Sequence, residues 1–506
     1  MTGENLIVIN VDFGETRLAL IENGMIVELL VERAEHRSLV GNVYRGRVTR
    51  IMPGMQAAFI DVGLEKHAFL QASDIVDDDD QNGMEDDGKF HRHNNRTSIK
   101  DMIKEGEPII VQIAKDPIGT KGSRVTSEVS FPGRHLVYMP FSDRGGVSRK
   151  INDDAERKRL SKILKRIATK KGALIARTVA EGASGDALEA DATYLSETWD
   201  EILQKYKTRK KPGLLYEELP LPLRAARDIL NDSVVEMVID DQSMGDRLHN
   251  FIDRLMPSRL DAIKVYNGDE PIFDAFGIEA EIKRALDRIV ELPSGGSLVL
   301  DQGEALTAID VNTGKFVGKG SKDQEETVFK TNLEAVDEIA YQLRFRNIGG
   351  LIVLDLIDMD RPSNRQKVTD RLKAALQGDR AKTSVIKISR FGLVEMTRER
   401  TRESLGRTLH ERCSYCDGTG HTLSRLTVAN EVLREVQRRH DEIKSGHIEV
   451  KVHPAVAEIF KGDAAGPLKA LQKKLSKKVY IVQKNGGHLE EFQVRARRIS
   501  TEKEGV

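Results

Sequence analysis

Apolar residues recur with a period of two near the start of the chain. LIVINV and MIVELLVE predict two strands within residues 5–29, around the turn signal Glu22-Asn23-Gly24, with Asp12 just past the first. From Gly41, the run GNVYRGRVTRI alternates basic and apolar residues and places Val43, Arg45, Arg47 and Thr49 on one strand face. A turn at Pro53-Gly54, then AAFIDVG and HAFLQASDI, extend the pattern. Residues 77–98, DDDDQNGMEDDGKFHRHNNRTS, interrupt it with a polar, solvated loop, and EPIIVQIAKD resumes it. The period then lengthens. In ERKRLSKILKRI, Leu160, Ile163, Leu164 and Ile167 mark the buried side of an amphipathic helix. From about residue 216, LRAARDIL, MGDRLHNFIDRLM and EAEIKRALDRIV predict helices, until Pro293-Ser294-Gly295-Gly296 turns into SLVLD. EALTAIDVN, the long helix EETVFKTNLEAVDEIAYQLRFR and the nearly all-apolar GGLIVLDLIDM form a βαβ signature with a parallel strand pair. A helix (NEVLREVQRRHDEI), two strands (IEVKV, VYIVQ) and short helices close the chain.

A length of 506 residues, 39% of them apolar, suits three or four domains of about 150 residues and excludes a single small module or global disorder. The 79 Lys and Arg nearly balance 80 Asp and Glu, so any affinity for a polyanion must come from local clusters. Residues 143–177 supply one, with twelve Lys or Arg against four acids. It reads equally as the wet face of a helix or as a polyanion patch. No run of 18 apolar residues and no leader-like N-terminus is present, so a soluble, cytoplasmic chain without membrane partners is expected. Two cysteines, Cys413 and Cys416, do not make a disulfide scaffold.

The order of features in the alternating region resembles an S1-type OB fold, a small barrel that binds single strands through a basic groove and stacking aromatics. Phe59, Phe69, Arg45, Arg47 and Lys66 are its candidate contacts, with interior packing as the alternative for the aromatic rings. His91 and His93 in the polar insert could suggest a metal site, but polar tracts collect such residues by chance.

The βαβ unit carries the most chemistry. Asp310 ends one strand, Asn312 follows two residues later, and Asp355 ends the strand after the crossover helix. In an open parallel sheet, the carboxyl ends of neighbouring strands share one cleft. Two carboxylates held there repel each other unless a proton or cation intervenes, and hard oxygen donors favour Mg²⁺ or Mn²⁺. Acids at strand ends also cap helices and close turns. Asp358 is a further acid or a helix cap.

The runs ALTAIDVNTGKF, EETVFKTNLEAVDEIAYQLRFRNIGGLIVLDLIDM, SRFGLVEMTRER and CSYCDGTG resemble the ribonuclease E/G family of bacterial endoribonucleases. The likeness extends over nearly the whole chain. The chain ends soon after its last small domain, which is more similar to the ribonuclease G branch than to ribonuclease E.

This resemblance implies a multidomain α/β fold. Residues 1–35 and 216–285 would form an RNase H-like subdomain, in which Asp12 has no catalytic part. Residues 36–127 would form the S1-type OB barrel with the insert 77–98, 128–215 a 5′-monophosphate sensor, and 286–409 a DNase I-like catalytic domain. A zinc link at 410–424 and a small α/β domain at 425–506 would follow. The implied activity is cleavage of single-stranded RNA by Mg²⁺-activated water, giving a 5′-phosphate and a 3′-hydroxyl, in rRNA maturation and mRNA turnover. Asp310 and Asp355 would bind Mg²⁺, with Mn²⁺ as a substitute, and Asn312 would orient the site. Gly133, Val137, Arg177 and Thr178, with Arg149 nearby, match the pocket for a 5′-monophosphate. Phe59, Phe69, Lys115 and Lys121 match barrel contacts, while a position that is aromatic in some relatives is Val62 here.

A structural zinc takes four ligands, whereas the chain offers one CxxC pair. The resemblance implies that Cys413 and Cys416 share Zn²⁺ with the same pair of a second chain in a homodimer, which could pair further. The family's common proline is Ser414 here. A redox pair is the competing reading, as is an intrachain site completed by His410 or His421. From other functional classes, a non-catalytic RNA-binding or ribosome-associated scaffold and a metal-dependent DNA phosphodiesterase are the alternatives.

Overall fold

A computed structural model describes residues 5–75, 98–117, 122–143, 145–167, 172–231, 233–314, 321–389, 391–400, 402–443 and 447–496. Lys121, His91, His93 and almost all of the insert 77–98 lie outside the described residues. The chain divides into two compact units, Met1–Thr408 and Leu409–Val506. Among the described residues, no helix is long and apolar enough to cross a membrane.

The N-terminal segment forms three antiparallel strands, Asn5–Asp12, Glu15–Glu22 and Met25–Arg33, instead of the expected two. The missed strand, ETRLALIE, concentrates its apolar residues at one end and so lacks a clear alternation. Its preceding turn, Phe13-Gly14, has positive φ at both residues, the geometry of a tight hairpin. The segment read only as helical also holds three strands, Val234–Ile239, Ile263–Val265 and Ile289–Glu291. Val234–Ile239 pairs in parallel with Asn5–Asp12, so one sheet is assembled from two distant parts of the chain. Ile7, Ile9, Leu18, Leu20, Met237 and Ile239 meet in its core.

The alternating region closes into a five-stranded barrel. Val43–Met52, Ala57–Asp61, Ala68–Gln71, Arg124–Thr126 and Pro108–Lys115 pair in that order, and the last returns to the first. Tyr44, Val48, Ile60, Leu70, Val111 and Val125 fill its interior. Of the opposite set of the first strand, Arg47 and Thr49 are exposed and Arg45 is half-buried, as the period of two requires, whereas Val43 is buried in a second core with residues such as Phe131 and Leu136.

Beyond the barrel, a four-stranded sheet in the order 146–147, 173–176, 136–139, 131–132 packs against two helices. Helix Asp154–Arg166 buries Leu160 and Leu164, with Ile163 and Ile167 partly buried, the side that its spacing predicts. Its N-cap Asp153 accepts a hydrogen bond from the Ala155 N–H.

The βαβ unit lies in a six-stranded sheet. Leu306–Asn312 and Gly350–Asp355 are parallel, as expected, and helix Ser321–Phe345 connects them. The other ladders are antiparallel, so the sheet is mixed and not the open parallel one the sequence suggested. On one side the three-residue hairpin link at 303–305 permits only an antiparallel neighbour, whereas on the other Leu393–Arg398 returns antiparallel to Gly350–Asp355 after a long connection that includes helix Pro362–Ala375. Along Leu306–Asn312 exposure alternates strictly: Thr307, Ile309 and Val311 are buried and the intervening residues are exposed.

The second unit has helix Arg425–Arg439 and a three-stranded sheet with His447–Val452 at its centre, flanked by Lys478–Gln483 and Phe492–Ala496. Val428, Val432, Ile448, Val450 and Val456 form its core.

Candidate active site

Asp310 and Asp355 are register partners across the parallel pair Leu306–Asn312 and Gly350–Asp355. Both are exposed, whereas Ile309 and Leu354, directly before them, are buried and fix the strands. Side chains two residues apart lie on one strand face, so Asn312 stands beside Asp310, and its Nδ2 donates to Asp310 Oδ2 at 2.8 Å. The group offers two carboxylates and an amide, which are hard oxygen donors with no thiol or imidazole among them. Such a set fits Mg²⁺ or Mn²⁺, ions that take one or two protein carboxylates and fill their remaining positions with water and phosphate oxygens. Among the described residues, no three His, Cys, Asp or Glu side chains converge as a ready-made metal cage.

The loop leaving Asp355 is held from the long helix. Asn332, fully buried, donates through Nδ2 to the Ile357 carbonyl at 2.8 Å and accepts from the Ile357 N–H at 3.1 Å. About two turns earlier on the same helix, Glu325 accepts from the N–H groups of Asp360 and Arg361 and from Asn364 Nδ2. Burial alone would raise the Glu325 carboxyl, but these hydrogen bonds outweigh it and hold the group below the ordinary carboxylate range. The Pro293–Gly296 turn closes the other side. A Cβ at Gly296 would lie 2.7 Å from the Asn312 carbonyl, so the close approach requires glycine.

A second group of candidates gathers at the four-stranded sheet. The carboxylate of Asp191, 2% exposed, accepts from the N–H groups of Arg134, His135 and Leu136 at 2.8–3.0 Å. Gly133 is obligatory there because a Cβ would come 2.4 Å from Asp191 Oδ1. Arg177 Nη1 donates to the Gly133 carbonyl at 2.5 Å and to Asp228 Oδ1 at 2.8 Å. Thr178 is exposed, and its hydroxyl is 3.3 Å from Ser148 Oγ. Val137 is half-buried opposite Ile175, the residue two before Arg177. Gly133, Val137, Arg177 and Thr178 thus come together, and Arg149 is exposed beside Ser148.

On the barrel, Phe59 and Phe69 are cross-strand partners with ring centroids 6.0 Å apart in an edge arrangement. Both are half-buried, so neither ring is interior packing. Thr49 Oγ1 donates to the Phe59 carbonyl beside them. Lys115 is exposed at the end of its strand, and Arg47 and Lys66 are exposed as well. Arg45 is differently placed: its guanidinium lies 4.3 Å from the Tyr206 ring centroid and donates to the Tyr206 carbonyl, which fastens barrel to helix. Val62 is buried in the barrel core, so no surface stacking position is present there.

In the second unit, Cys413 is exposed and Cys416 partly so, on a tight turn with positive φ at Asp417, Gly418 and Gly420. Cys416 Sγ accepts from the Gly420 N–H at 3.3 Å. That bond, aided by the neighbouring Cys413 and the N–H groups of Gly418 and Thr419, holds the thiol below its ordinary range and favours thiolate. Between the two cysteines, Tyr415 is anchored to the small domain by His488, whose ring is 4.5 Å away. Among the described residues neither His410 nor His421 joins the pair in a three-ligand group, which removes geometric support for an intrachain site.

The profile of the ribonuclease E/G family matches residues 130–401, more than half of the chain. The chain belongs to the ribonuclease E/G family. It is 41% identical to ribonuclease G of Escherichia coli strain K12 over 481 residues, covering 95% of this chain and 97% of that one. It is likewise 41% identical to ribonuclease G of Haemophilus influenzae over 492 residues, or 96% and 98% of the two chains. Against ribonuclease E of E. coli K12 it is 39% identical over 426 residues, 84% of this chain but 39% of that protein. The resemblance read from the sequence motifs is therefore correct, including the greater likeness to ribonuclease G. The family match contains Asp310, Asn312, Asp355 and the group from Gly133 to Thr178, whereas the barrel and the cysteine pair lie outside residues 130–401.

Sequence reasoning missed the residues that hold these family positions in place. Asn332 and Asp191 each sit in the apolar stripe of a helix, among Val328 and Val336 and among Leu188 and Leu195. That interruption is a readable signal, because a buried polar side chain must find a partner. Ser148 and Asp228 carry no comparable mark.

Proposed function

We propose that the chain is a metal-dependent endoribonuclease that cleaves single-stranded RNA in RNA processing and decay, including rRNA maturation and mRNA turnover. The observation that carries this reading is the register pairing of Asp310 with Asp355, with Asn312 bonded to Asp310. Asp310 and Asp355 hold Mg²⁺, or Mn²⁺ in its place, and Asn312 keeps the Asp310 carboxylate oriented. Bound Mg²⁺ supplies charge neutralisation on the phosphodiester and activation of water, so that products carry a 5′-phosphate and a 3′-hydroxyl.

The rest of the chain positions RNA. The barrel, read as an S1-type OB fold, offers Phe59 and Phe69 to bases and Lys115, Lys121 and Arg47 to phosphates. Arg45 supports the barrel from its contact with Tyr206. Arg177 and Thr178, with Gly133, Val137 and Arg149, receive a terminal 5′-monophosphate, which stimulates cleavage. The two-part N-terminal sheet serves as an RNase H-like structural subdomain, and the mixed six-stranded sheet as a DNase I-like catalytic domain. Cys413 and Cys416 supply half of a tetrahedral Zn²⁺ site that a second chain completes, making a cytoplasmic homodimer.

The test is to present one labelled RNA with a 5′-monophosphate, a 5′-hydroxyl or a 5′-triphosphate, with and without Mg²⁺. Metal-dependent internal cleavage, fastest on the monophosphate, is expected. RNA binding without cleavage would instead identify a scaffold, and equal cleavage of a DNA oligonucleotide a general phosphodiesterase.

A further inference from the structure

Phe391 is 80% exposed, more than any other large apolar side chain of the described residues except Phe13. The turn that carries it is well fixed. Ser389 Oγ accepts from the N–H groups of Phe391 at 3.3 Å and Leu393 at 3.2 Å, and the Gly392 carbonyl accepts from the Leu356 N–H at 3.3 Å. Gly392 has φ +73°, and a Cβ there would lie 2.4 Å from the Leu356 carbonyl and 3.3 Å from Asp358 Oδ1. Only glycine lets the turn press so closely on the segment leaving Asp355. The next residue, Leu393, is the register partner of Asp355. An aromatic ring left in water is thereby held two residues from the partner of a proposed metal-binding carboxylate.

We infer that Phe391 is a stacking platform for one base of single-stranded RNA beside the phosphodiester at Asp310 and Asp355, an inference that rests on the proposed nuclease reading. An exposed ring on a hydrogen-bonded turn presents a π face without further ordering, and every base can use such a face. This platform lies in the catalytic sheet and is distinct from the Phe59–Phe69 pair of the barrel. It gives the enzyme a hold on the nucleotide next to the bond that breaks.

The full-length protein and its Phe391→Ala and Phe391→Trp variants are compared on one RNA and on copies with a single abasic position, moved one nucleotide at a time around the cleavage site. Phe391→Ala should lower kcat/KM about tenfold, within the roughly five- to hundredfold that one base–aromatic stack spans. Phe391→Trp should restore most of the loss. At one position only, abasic RNA should lose a similar factor with the unmodified protein and little more with Phe391→Ala. A loss that is uniform over all abasic positions, an unchanged rate, or a change in oligomeric state by analytical ultracentrifugation would overturn the inference. A second readout does not depend on cleavage: RNA with 2-aminopurine at that position, bound to Asp310→Asn, should be quenched less once Phe391→Ala is added. Equal quenching would also overturn it. Absence of cleavage by the unmodified protein would instead count against the nuclease reading, with the fluorescence result still deciding the role of Phe391.

Discussion

Arg177 and Asp228 are joined by a 2.8 Å ion pair in which only Nη1 of the guanidinium takes part, the same nitrogen that reaches the Gly133 carbonyl. The acid thus fixes the arginine by one corner while Thr178 stands next to it in sequence. If this arginine receives a terminal phosphate, Arg177→Ala should slow cleavage of 5′-monophosphate RNA by roughly tenfold to a hundredfold, the equivalent of about 1.5–3 kcal/mol for a charge-assisted contact. Cleavage of 5′-hydroxyl RNA should change little. Parallel kinetics on the two substrates check it, and an equal loss on both would make Arg177 a structural residue only.

Asp228 has a pH signature. Burial would raise its carboxyl, but Arg227 first and Arg177 next outweigh burial and hold it below its ordinary value of 3.8. A carboxyl depressed in the folded state contributes stability above the unfolded value and loses it as pH falls through the folded one. Unfolding curves of the unmodified protein and Asp228→Asn should therefore differ at neutral pH and converge as pH falls below about 4. Denaturant midpoints measured across that range give the comparison. A difference that grows on acidification would contradict the assignment.

Asp191 satisfies three backbone N–H groups at once. Asp191→Ala leaves those donors buried without their acceptor and should cost about 3 kcal/mol, since one orphaned donor already costs about 1–3 kcal/mol. The loop from Gly133 to Leu136 should loosen first. Amide hydrogen exchange should show faster exchange there, together with a lower denaturant midpoint. Protection equal to that of the unmodified protein would mean that water replaces the carboxylate.

Each chain brings two cysteines, and Cys416 is already biased to thiolate by the Gly420 N–H. Purified protein should carry one zinc per two chains, and Cys413→Ser with Cys416→Ser should shift dimer toward monomer, as should a chelator. Metal analysis combined with light scattering decides this. One zinc per chain on a monomer indifferent to chelation would rule out the shared link.

Much of this arrangement is legible in sequence because it rests on short periods. The alternation from Tyr44 to Thr49 and the helical spacing from Leu160 to Ile167 name their buried faces directly. Asp310 and Asp355 are legible for another reason: a parallel crossover brings the ends of its two strands together whatever lies between them. The strand Val234–Ile239 was harder, since its partner Asn5–Asp12 is more than two hundred residues away and local pattern does not encode such pairing. The mixed sheet was missed for the same reason, as one parallel pair says nothing about the strands outside it. Arg45 looked like its neighbours Arg47 and Thr49 by period, yet Tyr206, on a distant helix, occupies it. The contacts of Asn332 and Asp191 likewise depend on loops that no periodicity announces.

The central claim is that Asp310 and Asp355 together hold the metal that cleaves RNA. Its most direct test is single-turnover cleavage of a 5′-monophosphate RNA by the unmodified protein, Asp310→Asn and Asp355→Asn across a Mg²⁺ titration, with RNA binding measured in parallel. Each substitution removes one ligand charge with little change in size. The account predicts that either variant loses several powers of ten in rate while binding RNA within about threefold of normal, since it assigns binding to the barrel and to the proposed 5′-phosphate group. Near-normal cleavage by either variant would contradict it.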